Sequence, residues 1–275
     1  MVNSLNQNSS VRPSLTRLFS KLTRYLPPFL GLCVFVGIWQ AYTVVFGVST
    51  FLLPSPLGIV RSAIEIAPTL AGHVGTTAYE ILAGYFFGNM FAVAVAFIII
   101  NSASAERIIY PFLLMSQTIP KIALAPLLVI WFGTGLTPKV IIIALLCFFP
   151  TAVNAVQGLK SADSNALDLV RLVSNSKWVA FAKVQFPNSL PYFFAGLKIS
   201  MSSAVIGAII AEWVGAQKGL GYLILYGAQS LRTDLLFVGV VGTVMLGMVL
   251  YGIVAIAERF LSWKDAEIKA APAST

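Results

Sequence analysis

Six apolar runs, at 28–47, 76–100, 107–132, 138–158, 188–212 and 234–260, constrain this chain more than any other feature. A helix needs about 20 apolar residues to cross the hydrocarbon core of a bilayer. Lipid offers no water to a backbone N–H or C=O, so a crossing segment must satisfy its own hydrogen bonds as a helix. Each run is therefore expected to be a transmembrane helix. With 58% hydrophobic residues, 10% charged and a mean hydropathy of +0.87, the chain lies far outside soluble globular usage. The first run, "LPPFLGLCVFVGIWQAYTVVFG", is too long for the apolar core of a cleaved leader and is expected to be a span. The Ser- and Asn-rich stretch over about residues 1–20 is expected to be disordered. Pro111, Pro120 and Pro126 predict kinks in the third run, with freed carbonyls facing other helices or a wet path.

The net charge of +8 supports an orientation, not a nucleic-acid partner. With the N-terminus inside, the inner segments hold Arg12, Arg17, Lys21, Arg24, Arg107, Lys160, Arg171, Lys177, Lys183, Arg259, Lys264 and Lys269. The outer segments hold only Arg61, Lys139, Lys218 and Arg232, while Lys121 and Lys198 fall within runs. That bias places both termini in the cytoplasm. Cys33 and Cys147 sit inside apolar runs and read as small hydrophobes, neither disulfide nor metal ligands. The single His73 is expected to be a polar loop residue.

Two outer loops carry their own signals. In "FLLPSPLGIV" (51–60), Pro54 and Pro56 around Ser55 predict an extended turn in place of continued helix. "GAQKGLGYLILYGAQS" (215–230) opens on glycines and then reads as a short amphipathic helix. These loops could cap the outer mouth of a path or simply connect spans.

The longest inner loop, 159–187, is an amphipathic island. Asp163 and Ser164 can cap a helix through Val173, on which Leu169, Leu172 and Val173 form an apolar stripe flanked by Asp168 and Arg171. "SNS" (174–176) breaks it, Ser176 can cap a second helix to Val184, and Pro187 is expected to stop that helix before the fifth span. Such a loop could rest on lipid headgroups or serve as a knob for a soluble partner.

The spacing here resembles the EAA motif of ATP-binding-cassette importer permeases: Glu-Ala-Ala, three residues, Gly, nine residues, then Ile-x-Leu-Pro. Asp168-Leu169-Val170 stands in place of Glu-Ala-Ala, Ser174 in place of Gly, and Val184-Gln185-Phe186-Pro187 closes the pattern. Ser174 lacks the freedom of Gly, so the turn must use dihedrals open to an L-residue or a strained left-handed one. "LLPSP" (52–56), "TIPKIALAPLLVIWFGTG" (118–135), "FPNSLPYFFAGLKIS" (186–200), "GAIIAEWVGAQKGLGYLI" (207–224) and "ERFLSW" (258–263) are similar to the branch that carries sulfonates, taurine, nitrate, bicarbonate and pyrimidine vitamin precursors. The resemblance covers about residues 28–263.

It implies an all-α fold of six transmembrane helices, of the type I importer (MetI-like) kind, over 27–263, between cytoplasmic tails 1–26 and 264–275. It also implies a bacterial inner-membrane location, a second permease copy as a homodimer, an extracytoplasmic substrate-binding protein, and a cytoplasmic ATPase that holds ATP-Mg. Asp168, Leu169, Arg171, Leu172, Val173, Ser174 and Pro187 would then form the ATPase-coupling segment. The permease itself would be no enzyme and bind no cofactor; no G-x-x-x-x-G-K-[ST] run occurs in the sequence. The solute would be small and polar or anionic.

For the path, Gln117, Pro120, Lys121 and Pro126 of the third run are the candidates. Lys121 sits near mid-membrane, where a charge is costly; it could attract such a solute, or be tied to kinked-helix carbonyls or snorkel. Lys198 is expected to snorkel, Glu80 and Glu212 to lie near the outer ends at a pore mouth or an interface, and Gly84, Gly88 and Gly207 to let helices approach closely. An ion-coupled secondary transporter or channel is the rival class. It would want repeats or buried mid-membrane carboxylates, whereas a membrane enzyme would want a cluster of His, Cys or carboxylates.

Overall fold

Helix is the only way these runs can close their backbone hydrogen bonds in lipid, and every regular element among the described residues is helical. The computed structural model describes residues 14–174 and 176–270. Helix α1 covers Ser14–Val45. Ser55, in extended conformation, then accepts from the Gly58 N–H and starts α2 (Pro56–Glu65), with Pro56 at a position where its missing N–H costs nothing. Next come α3 (Ala67–Asn101), α4 (Ala103–Met115), α5 (Ala125–Phe132) and α6 (Leu136–Lys160). The inner loop holds α7 (Ser164–Val173) and α8 (Lys177–Ala180), followed by α9 (Phe186–Trp213), α10 (Leu220–Gln229) and α11 (Thr233–Ala270).

Among the described residues, four helices are long and apolar enough to cross a membrane: α3, α6, the continuous helix Trp178–Trp213, and Thr233–Leu261 within α11. The third expected run is a pair of helices bent by 88°, and the apolar part of α1 is the shorter Leu30–Val45. All six runs are thus helical, but only four are plain spans.

Several expectations need correction. Helix α1 begins at Ser14, inside the stretch expected to be disordered; Leu15, Leu18 and Leu22 recur at helical spacing there. Residues 1–13 and 271–275 lie outside the described residues. The extended turn expected at Ser55 is present, with φ −71° and ψ 148°, and helix follows directly from Pro56. Pro187 does not stop the second inner helix. A π-turn over Phe181–Gln185 widens the helix, with the Phe186 N–H bonded to Phe181 O five residues back, and the chain runs on into α9. A wider turn relieves the clash that a proline ring makes in an ordinary α-helix. Residues 264–270, the first part of the C-terminal tail, continue α11 without a break.

The core is a three-helix layer in which α6 packs between α3 and α9. Lipid tails are as apolar as leucine, so association here rests on close packing and interhelical hydrogen bonds. Glycines supply the first. A Cβ on Gly88 would lie 2.5 Å from Ala144 O and 2.9 Å from Cys147 Cβ, one on Gly84 would strike the Ile143 side chain, and one on Gly207 would lie 2.6 Å from Leu146 Cδ1. A buried polar knot supplies the second. Thr151 Oγ1 of α6 donates to Asn89 Oδ1 of α3 at 2.5 Å, and Ser200 Oγ of α9 lies 3.2 Å from the same oxygen. Asn89 Nδ2 donates to Tyr85 O, and Tyr85 OH donates to Leu197 O. Cys147 lies in this layer, its Sγ 3.4 Å from Ser200 O, while Cys33 is exposed.

Gly88→Leu is expected to destabilise the detergent-solubilised chain by about 1–3 kcal/mol through overpacking. Gly72→Leu, at a position where a Cβ meets nothing within 4 Å, serves as the control. Equal thermal midpoints for the two variants would remove the close approach of α3 and α6 as a stabilising feature.

Candidate functional site

The inner loop is built from its cap outward. The Asp163 carboxylate accepts from the Asn165 N–H at 3.0 Å and its carbonyl from the Leu167 N–H, which starts α7 as the sequence predicts. Helical spacing gathers the apolar stripe, and the structure leaves it open: Leu169, Leu172 and Val173 are 65%, 85% and 90% exposed, and Trp178 is 66% exposed. Asp168 is also exposed, while the Arg171 side chain lies outside the described residues. Ser174 ends α7 with φ −146° and ψ 121°. That is ordinary extended backbone, so serine serves there without strain.

The base of the loop is fixed to the bundle. Lys160 pairs with Glu106 of α4 at 2.5 Å, and Asn188 Nδ2 donates to Ser161 Oγ. Phe181 stacks on Trp178 at 5.5 Å between ring centroids and meets the edge of Phe97 of α3 at 5.8 Å. Pro187 sits half-buried in the first turn of α9. The stripe is therefore an exposed apolar surface on a rigid mount.

The third run breaks at Ile119 and Pro120, both non-helical, between two short 3₁₀ turns. Gln117 and Pro120 are exposed at the break, and Lys121 follows it directly. Lys121 Nζ lies 4.7 Å from the centre of the Phe149 ring of α6. Its recorded contact is thus a cation–π one with a ring face, not a tie to carbonyls. Pro126 is set apart in the first turn of α5. Of the three prolines only Pro120 marks the break; Pro111 lies inside α4. Lys198, expected to snorkel, pairs its ammonium with Glu258 of α11 at 2.8 Å, both side chains partly exposed.

At the opposite end of the bundle the structure shows a constellation that the sequence reading missed. Glu212, 1% exposed at the end of α9, accepts from Thr77 Oγ1 of α3 at 2.6 Å and from the N–H groups of Gly221 and Tyr222 at 2.5 and 3.2 Å. Thr77 Oγ1 also accepts from the Leu220 N–H at 2.7 Å. His73 is a helical residue of α3, not a loop residue. Its Nδ1 accepts from the Gly219 N–H at 3.0 Å, and its ring stacks on Tyr222. Three side chains thus accept from four successive backbone N–H groups, 219–222, and staple the start of α10 to α3 and α9. The glycines permit it: Gly219 holds a φ of +126°, and a Cβ on Gly221 would lie 2.8 Å from Glu212 Oε2. Beside the staple, Lys139 of α6 reaches Glu80 of α3 at 2.6 Å, both nearly buried. Glu80 and Glu212 are interior anchors here. The one signal available was a glutamate followed by the glycine-rich run 215–221.

Glu212→Ala strands the Gly221 and Tyr222 donors and is expected to cost about 2–5 kcal/mol. Hydrogen exchange should show it as faster exchange confined to the amides of residues 219–223. Wild-type protection there would remove the staple.

Comparisons with known proteins agree on one family. Residues 84–263 match the family described as "binding-protein-dependent transport system inner membrane component". A probable ABC transporter permease protein of Haemophilus influenzae is 34% identical over 228 residues, 83% of this chain and 93% of that protein. The formylaminopyrimidine transport permease protein ThiX of Halalkalibacterium halodurans is 37% identical over 198 residues, 72% of this chain and 79% of that one. Among solved structures, an inward-facing MetNI methionine ABC transporter matches with a TM-score of 0.62 at 18% identity, covering 72% of this chain and 98% of the matched chain. That last likeness speaks to the fold alone.

Proposed function

The chain belongs to the binding-protein-dependent transport system inner membrane components, and from that premise we propose how it is driven and what it carries. It is a multi-pass permease component of an ABC importer. We assign the energy input to α7. An ATPase subunit holding ATP-Mg grips the stripe of Leu169, Leu172 and Val173, with Asp168 and Arg171 fixing register by charge and Ser174 and Pro187 setting the turn and the exit into the bundle. The observation that carries this reading is the exposure of that stripe on a base tied down by Lys160, Ser161 and Phe181. A surface that apolar, held that rigidly beside charged residues, suits a protein groove.

Movement of α7 would pass to α6 through the 161–163 turn and to α9 through the continuous helix from Trp178. These are two of the three helices in the packed layer, so a push on the loop tilts a body instead of bending a segment. The solute path would run beside the break at Gln117, Pro120 and Lys121, with Pro126 shaping the second half of the broken span. A second copy of the chain, as a homodimer, would complete the path. An extracytoplasmic binding protein would deliver the solute, and both termini would face the cytoplasm of a bacterial inner membrane. The identity to the formylaminopyrimidine permease favours a pyrimidine-type vitamin precursor over a sulfonate, taurine or nitrate. Lys121, a cation on an aromatic face, suits a small polar or anionic ring compound.

Leu172→Asp combined with Val173→Asp is expected to abolish co-purification with the ATPase and reduce ATP-driven uptake to background, while membrane insertion stays intact. Undiminished co-purification would end the docking assignment. Lys121→Met is expected to lower uptake in proteoliposomes about tenfold or more, in line with the loss of a desolvated charge contact, with assembly unchanged. Normal uptake kinetics would make Lys121 a structural residue.

A further inference from the structure

Helix α10 ends in a Schellman motif: the Arg232 N–H reaches Gly227 O at 2.9 Å, and the Leu231 N–H reaches Ala228 O at 3.4 Å. The residue just past the cap in that motif takes the left-handed conformation and is usually glycine, because a Cβ there is penalised. Here it is Leu231, with φ 58°, and among the described residues no other non-glycine has positive φ. Its side chain gains nothing from the fold in return, being 64% exposed. A glycine would make the same turn at lower cost and display nothing. Strain of this kind persists where it serves a function.

The setting is rigid. Arg232 binds Asp234 through Nε and Nη2 at 3.2 and 2.7 Å, and Asp234 accepts from Ser62 Oγ of α2 at 2.9 Å. Thr233 Oγ1 donates to Phe51 O at 2.5 Å, stitching the 231–234 corner to the 50–58 segment. Between the two segments lies a socket of about 380 Å³. Ser62, Arg232 and Asp234 line it together with Phe51, Pro54 and Leu231, and Phe51 and Leu231 are exposed. The Arg232–Asp234 pair and the Ser62 hydroxyl in that lining suit a polar protein side chain better than an acyl chain. This corner lies at the end of the bundle opposite α7.

We propose that the Leu231 corner and its socket are the anchor on which the soluble binding protein seats, Leu231 and Phe51 entering an apolar hollow of that protein while the socket takes one of its polar side chains. The proposal rests on the binding-protein-dependent reading above and adds the residues that would carry the contact. The family name supplies the kind of partner; the strained display of an apolar side chain beside a socket with polar groups supplies the place.

The test uses the full transporter in nanodiscs and the purified binding protein from the same transport locus, with equilibrium binding as the readout. Leu231→Gly and Leu231→Asn both keep the left-handed turn while removing the apolar side chain. Each is expected to weaken binding about tenfold, with a thermal midpoint equal to or above wild type. Wild-type affinity in both variants overturns the anchor and leaves the transporter reading standing. A lowered midpoint alongside weaker binding also counts against it, since Leu231 would then act through the fold. If the wild-type transporter itself binds no such protein, the reading on which the anchor rests fails as well, and the anchor with it.

Discussion

Close contact between α3, α6 and α9 is the constraint on which the rest depends. In lipid the hydrophobic effect does not draw helices together, so the bundle needs surfaces smooth enough to touch and polar groups with no better partner than one another. Gly84, Gly88 and Gly207 provide the first, and Asn89, Thr151 and Ser200 the second, with one amide oxygen collecting hydroxyls from two other helices. Both devices are short-range and stiff. The layer they form has little freedom to deform, which is why the other elements can be understood as attachments to it.

Those attachments divide by end. At one end the α7–α8 loop is clamped through Lys160, Ser161 and Phe181, and its apolar stripe faces outward. At the other, α10 is stapled by Glu212, Thr77 and His73, and its C-terminus displays Leu231. The two ends use different chemistry because their tasks differ in depth. The staple is buried and must satisfy every donor, so a carboxylate that can accept several N–H groups is the economical choice. The clamp lies near water, where an exposed ion pair contributes little on its own and aromatic packing carries more.

Much of this was legible in the sequence, for identifiable reasons. Apolar runs report helices in lipid because no other backbone arrangement is available, so among the described residues four of the six runs are plain spans, the third is a bent helix pair and the first holds a shorter apolar helix. The Asp163 cap and the stripe at Leu169, Leu172 and Val173 are local, and local spacing reports them faithfully. What escaped was either long-range or a matter of degree. Glu212 and Thr77 are 135 residues apart, and no periodicity links them. Asn89 looks like a stray polar residue until Thr151 and Ser200 are brought to it. Three prolines promised kinks in the third run, yet only Pro120 breaks it, because Pro126 occupies a first helical turn where proline is welcome. Pro187 failed as a stop signal for a related reason: the π-turn before it makes room for the ring.

The ion pairs follow the same division. Glu80–Lys139 lies within the core layer, beside the staple, and both partners are nearly buried, so losing either would leave a charge stranded between α3 and α6. Lys198–Glu258 is partly exposed and ties α9 to α11, whose most apolar window is only 11% buried and so is left to face lipid or a partner. The apolar face of α11, the clamped loop with its bare stripe and the stapled cap with its strained leucine all lie outside that layer. The chain spends its stiffness on one internal layer and leaves its outward surfaces unfinished. A rigid middle loses least of any motion it receives, which is what the proposed transmission from α7 would require of it.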